Sequence, residues 1–243
     1  MKAPQPIKPV SGRLGVLLPG LGAVATTFVA GVEMARRGLA APIGSLTQMG
    51  TIRLGKRTDN NAPHIKDFVP LAPLESLEFG AWDLFPDDAY TAAKKAGVLS
   101  REHLESVKDF LSSIHPMSAV FEPTFVKRLE ATHIKSGPTK MDLAEQLMED
   151  IARFKRERNV DRCVAVWCGS TETWRPNAAV HETLAAFEQG LRDNDPDIAP
   201  SAIYAYACIR AGVPYANGSP NLSVDFPAMF ELAKREGVAI AGK

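Results

Sequence analysis

The sequence predicts an α/β fold with a doubly wound, mainly parallel sheet. Short apolar runs alternate with helical segments of about ten residues or more, which is the pattern of strand–helix–strand units with right-handed crossovers. The apolar runs are rich in Val, Leu and Ala, as strands buried on both faces require. A Gly-x-Gly turn follows the first of these runs, at the position where such sheets bind ligands.

The first half of the chain carries two predicted strands and the helices around them. Residues 1–12 are polar and rich in Pro, so we expect a flexible arm followed by one domain over residues 13–243. Gly38 is a suitable end for the first helix. The predicted elements are a strand at 13–18, a helix at 22–37, a short strand and loop at 43–54, a polar loop at 55–66, a strand at 78–82 that leads to Asp83, and helices at 87–99 and 101–113.

The second half continues the alternation of helix and strand. Thr139 followed by Asp142 is a helix start signal, and apolar residues at helical spacing continue that helix to Phe154. The remaining predicted elements are a strand at 162–168, a helix at 178–191 capped by Asn177, a helix at 201–211, a strand at 213–216, a helix at 225–235 and a last strand at 238–241.

Composition narrows the class of function. The chain has 243 residues with 28 basic and 28 acidic side chains, which favours neither nucleic acid nor an anionic membrane as partner. Three cysteines without a CxxC pair indicate reduced thiols in the cytoplasm. No apolar signal segment begins the sequence, and the five histidines lack metal-ligand spacing. We therefore expect a cytoplasmic protein without a bound metal.

Gly20-x-Gly22-x-x-Ala25 fits the fingerprint of a dinucleotide-binding, Rossmann-like domain. Gly20 permits the tight turn, Gly22 lets the backbone approach a pyrophosphate, and the small Ala25 lets the helix pack close to the strand. The start of the helix offers free amides to the anion, and Thr26 adds a hydroxyl. A glycine-tolerant turn without a ligand is the alternative interpretation.

The usual ribose-binding carboxylate is missing from its expected place. A dinucleotide-binding unit carries Asp or Glu about 20 residues further on, but no acidic residue lies between Glu33 and Asp59. Lys56 and Arg57 in this stretch favour NADP. Asp83 is the best substitute for the missing acid, although a helix cap or a loop carboxylate would also explain it.

Two further junctions follow predicted strands. Residues 168–172 read Cys-Gly-Ser-Thr-Glu, and residues 217–220 read Asn-Gly-Ser-Pro. Small and hydroxyl-bearing residues at the carboxyl ends of parallel strands are typical of ligand sites in open α/β sheets. Polar loops without a ligand would also explain both segments.

Taken together, these segments resemble the inositol-3-phosphate synthase family, also called myo-inositol-1-phosphate synthase. GLGAVATT is similar to its nucleotide loop, and FGAWDLFPDDAY to its Gly-Trp-Asp segment. VWCGSTE stands where the family has a Trp-Thr-Ala-Asn-Thr-Glu-like stretch. The most specific match is GVPYANGSPNLSVDFPAMFELAKREGVAIAGK, and the motifs follow in the family's order over residues 13–243.

The resemblance implies NAD as cofactor and assigns its contacts by position. Cys168 and Ser170 stand where the family usually has Thr and Asn. The implied cofactor contacts are Gly20, Gly22, Ala23, Val24, Ala25, Thr26, Asp83, Ser118, Ala119, Cys168, Gly169, Ser170, Thr171, Gly218 and Ser219.

The family converts D-glucose 6-phosphate to 1D-myo-inositol 3-phosphate, so the resemblance implies an isomerase of inositol and phospholipid biosynthesis. It also implies a homotetramer, with catalytic lysines in a second domain beyond Lys243 that this chain lacks. We therefore expect no catalytic residue in this chain, and NAD binding without turnover. The alternatives are an NAD(P)-dependent dehydrogenase, a non-catalytic NAD-binding partner, or one half of a split enzyme.

Overall fold

Six parallel strands form one sheet in the computed structural model, which describes residues 11–243. They are β1 (Leu14–Pro19), β2 (Leu77–Asp83), β3 (Met117–Ser118), β4 (Arg162–Trp167), β5 (Tyr215–Asn217) and β6 (Ile240–Ala241). Their order is β3-β2-β1-β4-β5-β6, the order of doubly wound dinucleotide-binding sheets. The predicted fold class is confirmed. Residues 1–10 of the predicted arm lie outside the described residues.

Helices cover both faces of this sheet. Side chains alternate along β1, so Val16 and Leu18 pack with the helices between residues 23 and 36 and between 89 and 112 on one face, whereas Leu17 packs with the helices between residues 140 and 236 on the other. None of the helices in residues 11–243 is both long and apolar enough to cross a membrane. The helices are α1 (Ala23–Arg36), α2 (Leu46–Met49), α3 (Ile65–Phe68), α4 (Ala89–Ala96), α5 (Arg101–Ser106), α6 (Lys108–Ser112), α7 (Lys140–Glu157), α8 (Leu184–Asp193), α9 (Pro200–Arg210) and α10 (Pro227–Glu236).

Two predictions from local sequence signals, the end of α1 and the start of α7, are confirmed. Gly38 follows the end of α1 with φ of +68°, a conformation that favours glycine, and its N–H bonds to Ala35 O at 3.1 Å. Thr139 caps α7 as predicted. Its hydroxyl accepts a hydrogen bond from Asp142 N at 3.1 Å, and the Asp142 carboxylate accepts one from Thr139 N at 2.9 Å.

The predicted strand at residues 43–54 is wrong. This segment contains the single-turn helix α2 and one isolated antiparallel bridge between Thr51 and His64. The bridge forms within the long connection from α1 to β2, residues 38–76, which we call the extension. No strand of the sheet lies beside this segment, so its backbone has no neighbouring strand with which to form a ladder.

Two predicted helices have different bounds. The helix at 101–113 breaks into α5 and α6 at Val107, which is fully buried with φ of −128°. The helix at 178–191 is also wrong at its start, because Asn177 caps nothing. A 3₁₀ turn at Ala179–His181 comes first, and Thr183 then caps α8 by accepting a hydrogen bond from Ala186 N at 3.1 Å.

Candidate active site

A cavity of about 430 Å³ opens at the carboxyl ends of β1, β2 and β4. The chain leaves β1 toward one edge of the sheet and later returns to β4 beside it. Ligands of open α/β sheets bind at this reversal of strand order. The predicted site residues that line the cavity are Gly20, Gly22, Ala23, Asp83, Ala119, Cys168, Gly169 and Ser170.

The two glycines of the turn after β1 are required for different reasons. Gly20 has φ of +94°, and a Cβ there would lie 2.5 Å from the Cα of Gly169. Only glycine allows the turns after β1 and β4 to touch. A Cβ on Gly22 would meet no protein atom within 4 Å. The absent side chain of Gly22 therefore leaves open space beside the start of α1.

The start of α1 presents its backbone amides to this space. Gly22 is the N-cap, no side chain caps the helix, and the first turn holds no acidic residue. The first amides of a helix have no intrahelical acceptor, and the helix dipole makes this end positive. The Thr26 hydroxyl donates to Gly22 O at 2.9 Å, so it secures the turn rather than facing the cavity. An anion such as a pyrophosphate suits this position.

Asp83 ends β2 and faces the glycine turn. Its Oδ2 accepts a hydrogen bond from Leu21 N at 2.6 Å, and its Oδ1 accepts one from Phe85 N at 3.0 Å. A carboxylate has about four lone-pair sites, so Asp83 can accept further bonds from ribose hydroxyls. The extension separates it in sequence from Gly22, which explains why no acid lies about 20 residues beyond the glycines.

Lys56 and Arg57 do not supply a phosphate site at this cavity. Both belong to the extension and are exposed, and neither is among the residues that line the cavity. Lys95 of α4 does line it, and its Nζ pairs with Asp87 at 2.5 Å. Because the carboxylate of Asp83 stands at the end of β2, the electrostatics there disfavour the 2′-phosphate of NADP.

Three aromatic side chains form the floor of the cavity. Tyr204 of α9 lies edge-on to Trp82 and to Trp167, with 5.5 Å between ring centroids in both pairs. The Tyr204 hydroxyl accepts a hydrogen bond from Val120 N at 3.0 Å. Sequence reasoning missed Tyr204, because an aromatic residue in an Ala-rich helix carries no signal of what it will contact.

Glu172 is a buried carboxyl in the wall of the cavity. It accepts hydrogen bonds from Ser201 N at 2.8 Å and from the Ser201 hydroxyl at 2.5 Å, at the start of α9. Burial raises its pKa to about 7. Glu172 also borders a second cavity of about 120 Å³, which Thr171 and Asn221 line as well. A carboxyl with such a pKa in a cleft is a functional candidate.

The structure does not bring the other predicted residues to the larger cavity. Ala25 and Thr26 are buried in α1, Val24 points outward, and Ser118 lies in β3 beside Asp83. Gly218 approaches the end of β4, where a Cβ would lie 2.8 Å from Trp167 O. Those that do not line the cavity are Val24, Ala25, Thr26, Ser118, Thr171, Gly218 and Ser219.

The chemistry of the remaining groups in the described chain is limited. Burial raises the pKa of the Cys168 thiol to about 11, so it is protonated and weakly nucleophilic at neutral pH. Within residues 11–243, no group of three or more His, Cys, Asp or Glu side chains is placed to hold a metal ion. Within the described chain this cavity, which we call the crevice, offers backbone amides and a carboxylate that suit a dinucleotide, and its Cys168 thiol is not activated as a nucleophile.

Comparison with known proteins gives one consistent result. The sequence model of an NAD-binding domain, described as myo-inositol-1-phosphate synthase, matches residues 14–243. An inositol-3-phosphate synthase of Bacteroides thetaiotaomicron is 48% identical over 98% of this chain and 56% of the relative. An inositol-3-phosphate synthase of Oryza sativa is 32% identical, over 95% of this chain and 48% of the relative.

A solved structure agrees with this match. The crystal structure of inositol-3-phosphate synthase from Caenorhabditis elegans superposes with a TM-score of 0.89 at 27% identity. It covers 97% of this chain, and this chain covers 49% of it. The chain thus spans about half the length of the relatives it matches.

Proposed function

The chain belongs to the myo-inositol-1-phosphate synthase family, and from this membership we propose that it supplies the NAD-binding half of an enzyme that converts D-glucose 6-phosphate to 1D-myo-inositol 3-phosphate. The observation that carries the proposal is the set of groups that line the crevice. The open space at Gly22, the amides of α1 and the carboxylate of Asp83 meet in one cavity. NAD is the cofactor of this family domain.

The residues of the crevice fit NAD. The first amides of α1 and the open side of Gly22 would hold the pyrophosphate, and Asp83 would accept hydrogen bonds from a ribose. The turn that follows β4, with Gly169 and Ser170, would border the nicotinamide end. We propose that the whole predicted set binds this cofactor or shapes its site, including the members that do not line the cavity.

When bound, NAD would supply reversible hydride transfer, so the conversion would involve no net oxidation. The protein's part is to bind and orient the cofactor and to exclude water. The packed rings of Trp82, Tyr204 and Trp167 give the crevice an apolar floor at the ends of β2 and β4. Cationic groups that hold the sugar phosphate would come from the half that the relatives carry in addition.

The broader assignments follow from the same proposal. We propose an isomerase that works in the cytoplasm, in inositol and phospholipid biosynthesis, as a homotetramer or with a partner that supplies the other half. This chain spans about half the length of its relatives, and we propose that this half, taken alone, binds NAD without turnover.

The test separates the possible functions by what the purified chain does. We expect calorimetric titration to show binding of NAD, and much weaker binding of NADP because of Asp83. With NAD and glucose 6-phosphate, we expect no inositol phosphate from the chain alone. Net NADH formation from a hydroxylated substrate would indicate a dehydrogenase, and absence of NAD binding would overturn the proposal.

A further inference from the structure

The extension (residues 38–76) has a defined shape of its own. Ile52 N bonds to Pro63 O at 3.0 Å, and Leu54 N bonds to Asn61 O at 2.9 Å, so the chain folds back as a hairpin. The short helices α2 and α3 lie at the base of this hairpin, where Ile65 N bonds to Gly50 O at 3.0 Å. Its backbone groups are thus paired by local contacts, as in an ordered element.

Few contacts tie the extension to the rest of the described chain. Near its end, the Arg36 side chain of α1 donates to Leu74 O at 2.8 Å. The hydrogen bonds that residues 40–73 form have both donor and acceptor within the extension. Its order therefore does not come from packing against the sheet.

The side chains of the extension are apolar but exposed. From residue 37 to residue 78, all within the described range, no residue is buried. Ile43 is 84% exposed and Leu46 is 74% exposed, and Leu39 and Phe68 are also exposed. Leu46 and Phe68 lie on α2 and α3, which pack against each other, and a cluster of exposed apolar side chains marks an interaction site. We call these four residues the apolar surface.

The comparisons indicate what covers the apolar surface. The relatives carry about as much polypeptide again as this chain matches. None of the described elements covers the apolar surface, whose side chains stay exposed, whereas the three relatives named above carry the additional half. A fold that is joined to this half in those relatives can leave such side chains exposed on its own surface.

We propose that the apolar surface of the extension is the docking site for the second half found in the relatives, joined in the same chain or supplied by a separate one. The inference rests on the family membership that underlies the proposed function, but it does not depend on NAD binding or turnover. The contact would be mainly apolar, with Ile43 and Leu46 at its centre because they are the most exposed.

The experiment compares this chain alone with a full-length hybrid in which it replaces the matched half of the B. thetaiotaomicron relative. A thiol is introduced by Ile43→Cys, or by Phe230→Cys on α10 as the control, since Phe230 is 52% exposed and far from the extension in sequence. Maleimide labelling should slow at least tenfold at position 43 in the hybrid and stay unchanged at position 230. The native thiols are buried or half-buried and provide a low background.

A second measurement decides the question if the hybrid does not fold. The tagged chain is co-expressed with the second half of the relative, and captured complex is quantified. Ile43→Ser with Leu46→Ser should reduce capture at least tenfold, whereas Phe230→Ser should not. Equal labelling of position 43 in the chain and in the hybrid would overturn the inference. Capture that is unchanged by the substitutions at positions 43 and 46 would also overturn it. Concentration-dependent protection of position 43 in the chain alone would identify a second copy as the occupant and would also overturn it.

Discussion

The carboxylate of Asp83 at the end of β2 accepts a hydrogen bond from the backbone N–H of Leu21, with 2.6 Å between Oδ2 and N. This bond connects the acid of the second strand to the glycine turn of the first, although the extension separates the two in sequence. One side chain therefore both holds the turn at which we propose that a pyrophosphate binds and presents negative charge where the ribose would lie in that proposal.

Asp83→Asn tests the ribose role without removing the side chain. The amide oxygen can still accept the Leu21 N–H and only the exposed contact from Phe85 N is lost, so we expect the fold to survive. Hydrogen bonds to charged groups are worth about 1.5–3 kcal/mol, so NAD affinity should fall roughly ten- to hundredfold. NADP affinity should change less, because the repulsion of its 2′-phosphate is removed. Calorimetric titration measures both, and unchanged NAD affinity would contradict the assignment.

Gly20→Ala and Gly22→Ala form a matched pair. At Gly20, the φ of +94° and the close approach of Gly169 penalise a Cβ, so we expect a loss of at least about 1–3 kcal/mol in the free energy of unfolding. At Gly22 the Cβ meets no protein atom, so stability should change little while NAD affinity falls. Urea denaturation and NAD titration separate the two effects. A Gly22→Ala protein that binds NAD normally would exclude pyrophosphate at this turn.

Glu172→Gln tests the pKa of the buried carboxyl. Because burial raises this pKa from 4.5 in the unfolded chain to about 7 in the folded one, the folded state binds the proton more tightly. The stabilisation is complete below about pH 4.5 and is lost as pH rises through 7, a difference of about 3 kcal/mol. Glutamine can keep both contacts to Ser201 but does not titrate. The free energy of unfolding should therefore fall less between pH 5 and 8 in Glu172→Gln than in the wild type. Parallel pH curves would contradict the raised pKa.

The sequence predicted those parts of the fold where short-range signals agree. Thr139 with Asp142, and Gly38 after α1, act within one helical turn, so their positions follow from local physics. The strand at residues 43–54 of the extension was mispredicted because its apolar residues resemble a strand when read locally. Their environment depends on which other element lies beside them, and sequence spacing does not contain that information.

The residues of the candidate site fall into the same two groups, those that carry a sequence signal and those whose role depends on the assembled fold. Gly20 and Gly22 carry a motif with fixed spacing, and Asp83 was found by elimination and by resemblance. Glu172 stands in the junction noted at residues 168–172, but neither its burial nor the part of Tyr204 could be found from spacing, because their contacts depend on how α9 packs against the turn after β4. The Glu172–Ser201 pair joins residues that are close only after the sheet has assembled.

The buried pair of Lys135 and Asp150 supports the strand that carries Asp83. Lys135 Nζ lies 2.6 Å from Asp150 Oδ2, both side chains are 5% exposed, and the same oxygen accepts a hydrogen bond from Trp82 Nε1 at 2.8 Å. Lys135→Met leaves the Asp150 carboxylate buried without that cation, so we expect a loss of about 3–5 kcal/mol in the free energy of unfolding. Arg153→Ala removes the half-exposed partner of Asp150 and should cost at most about 1 kcal/mol. Urea denaturation of both variants checks the difference, and equal losses would show that burial does not set the strength of this ion pair.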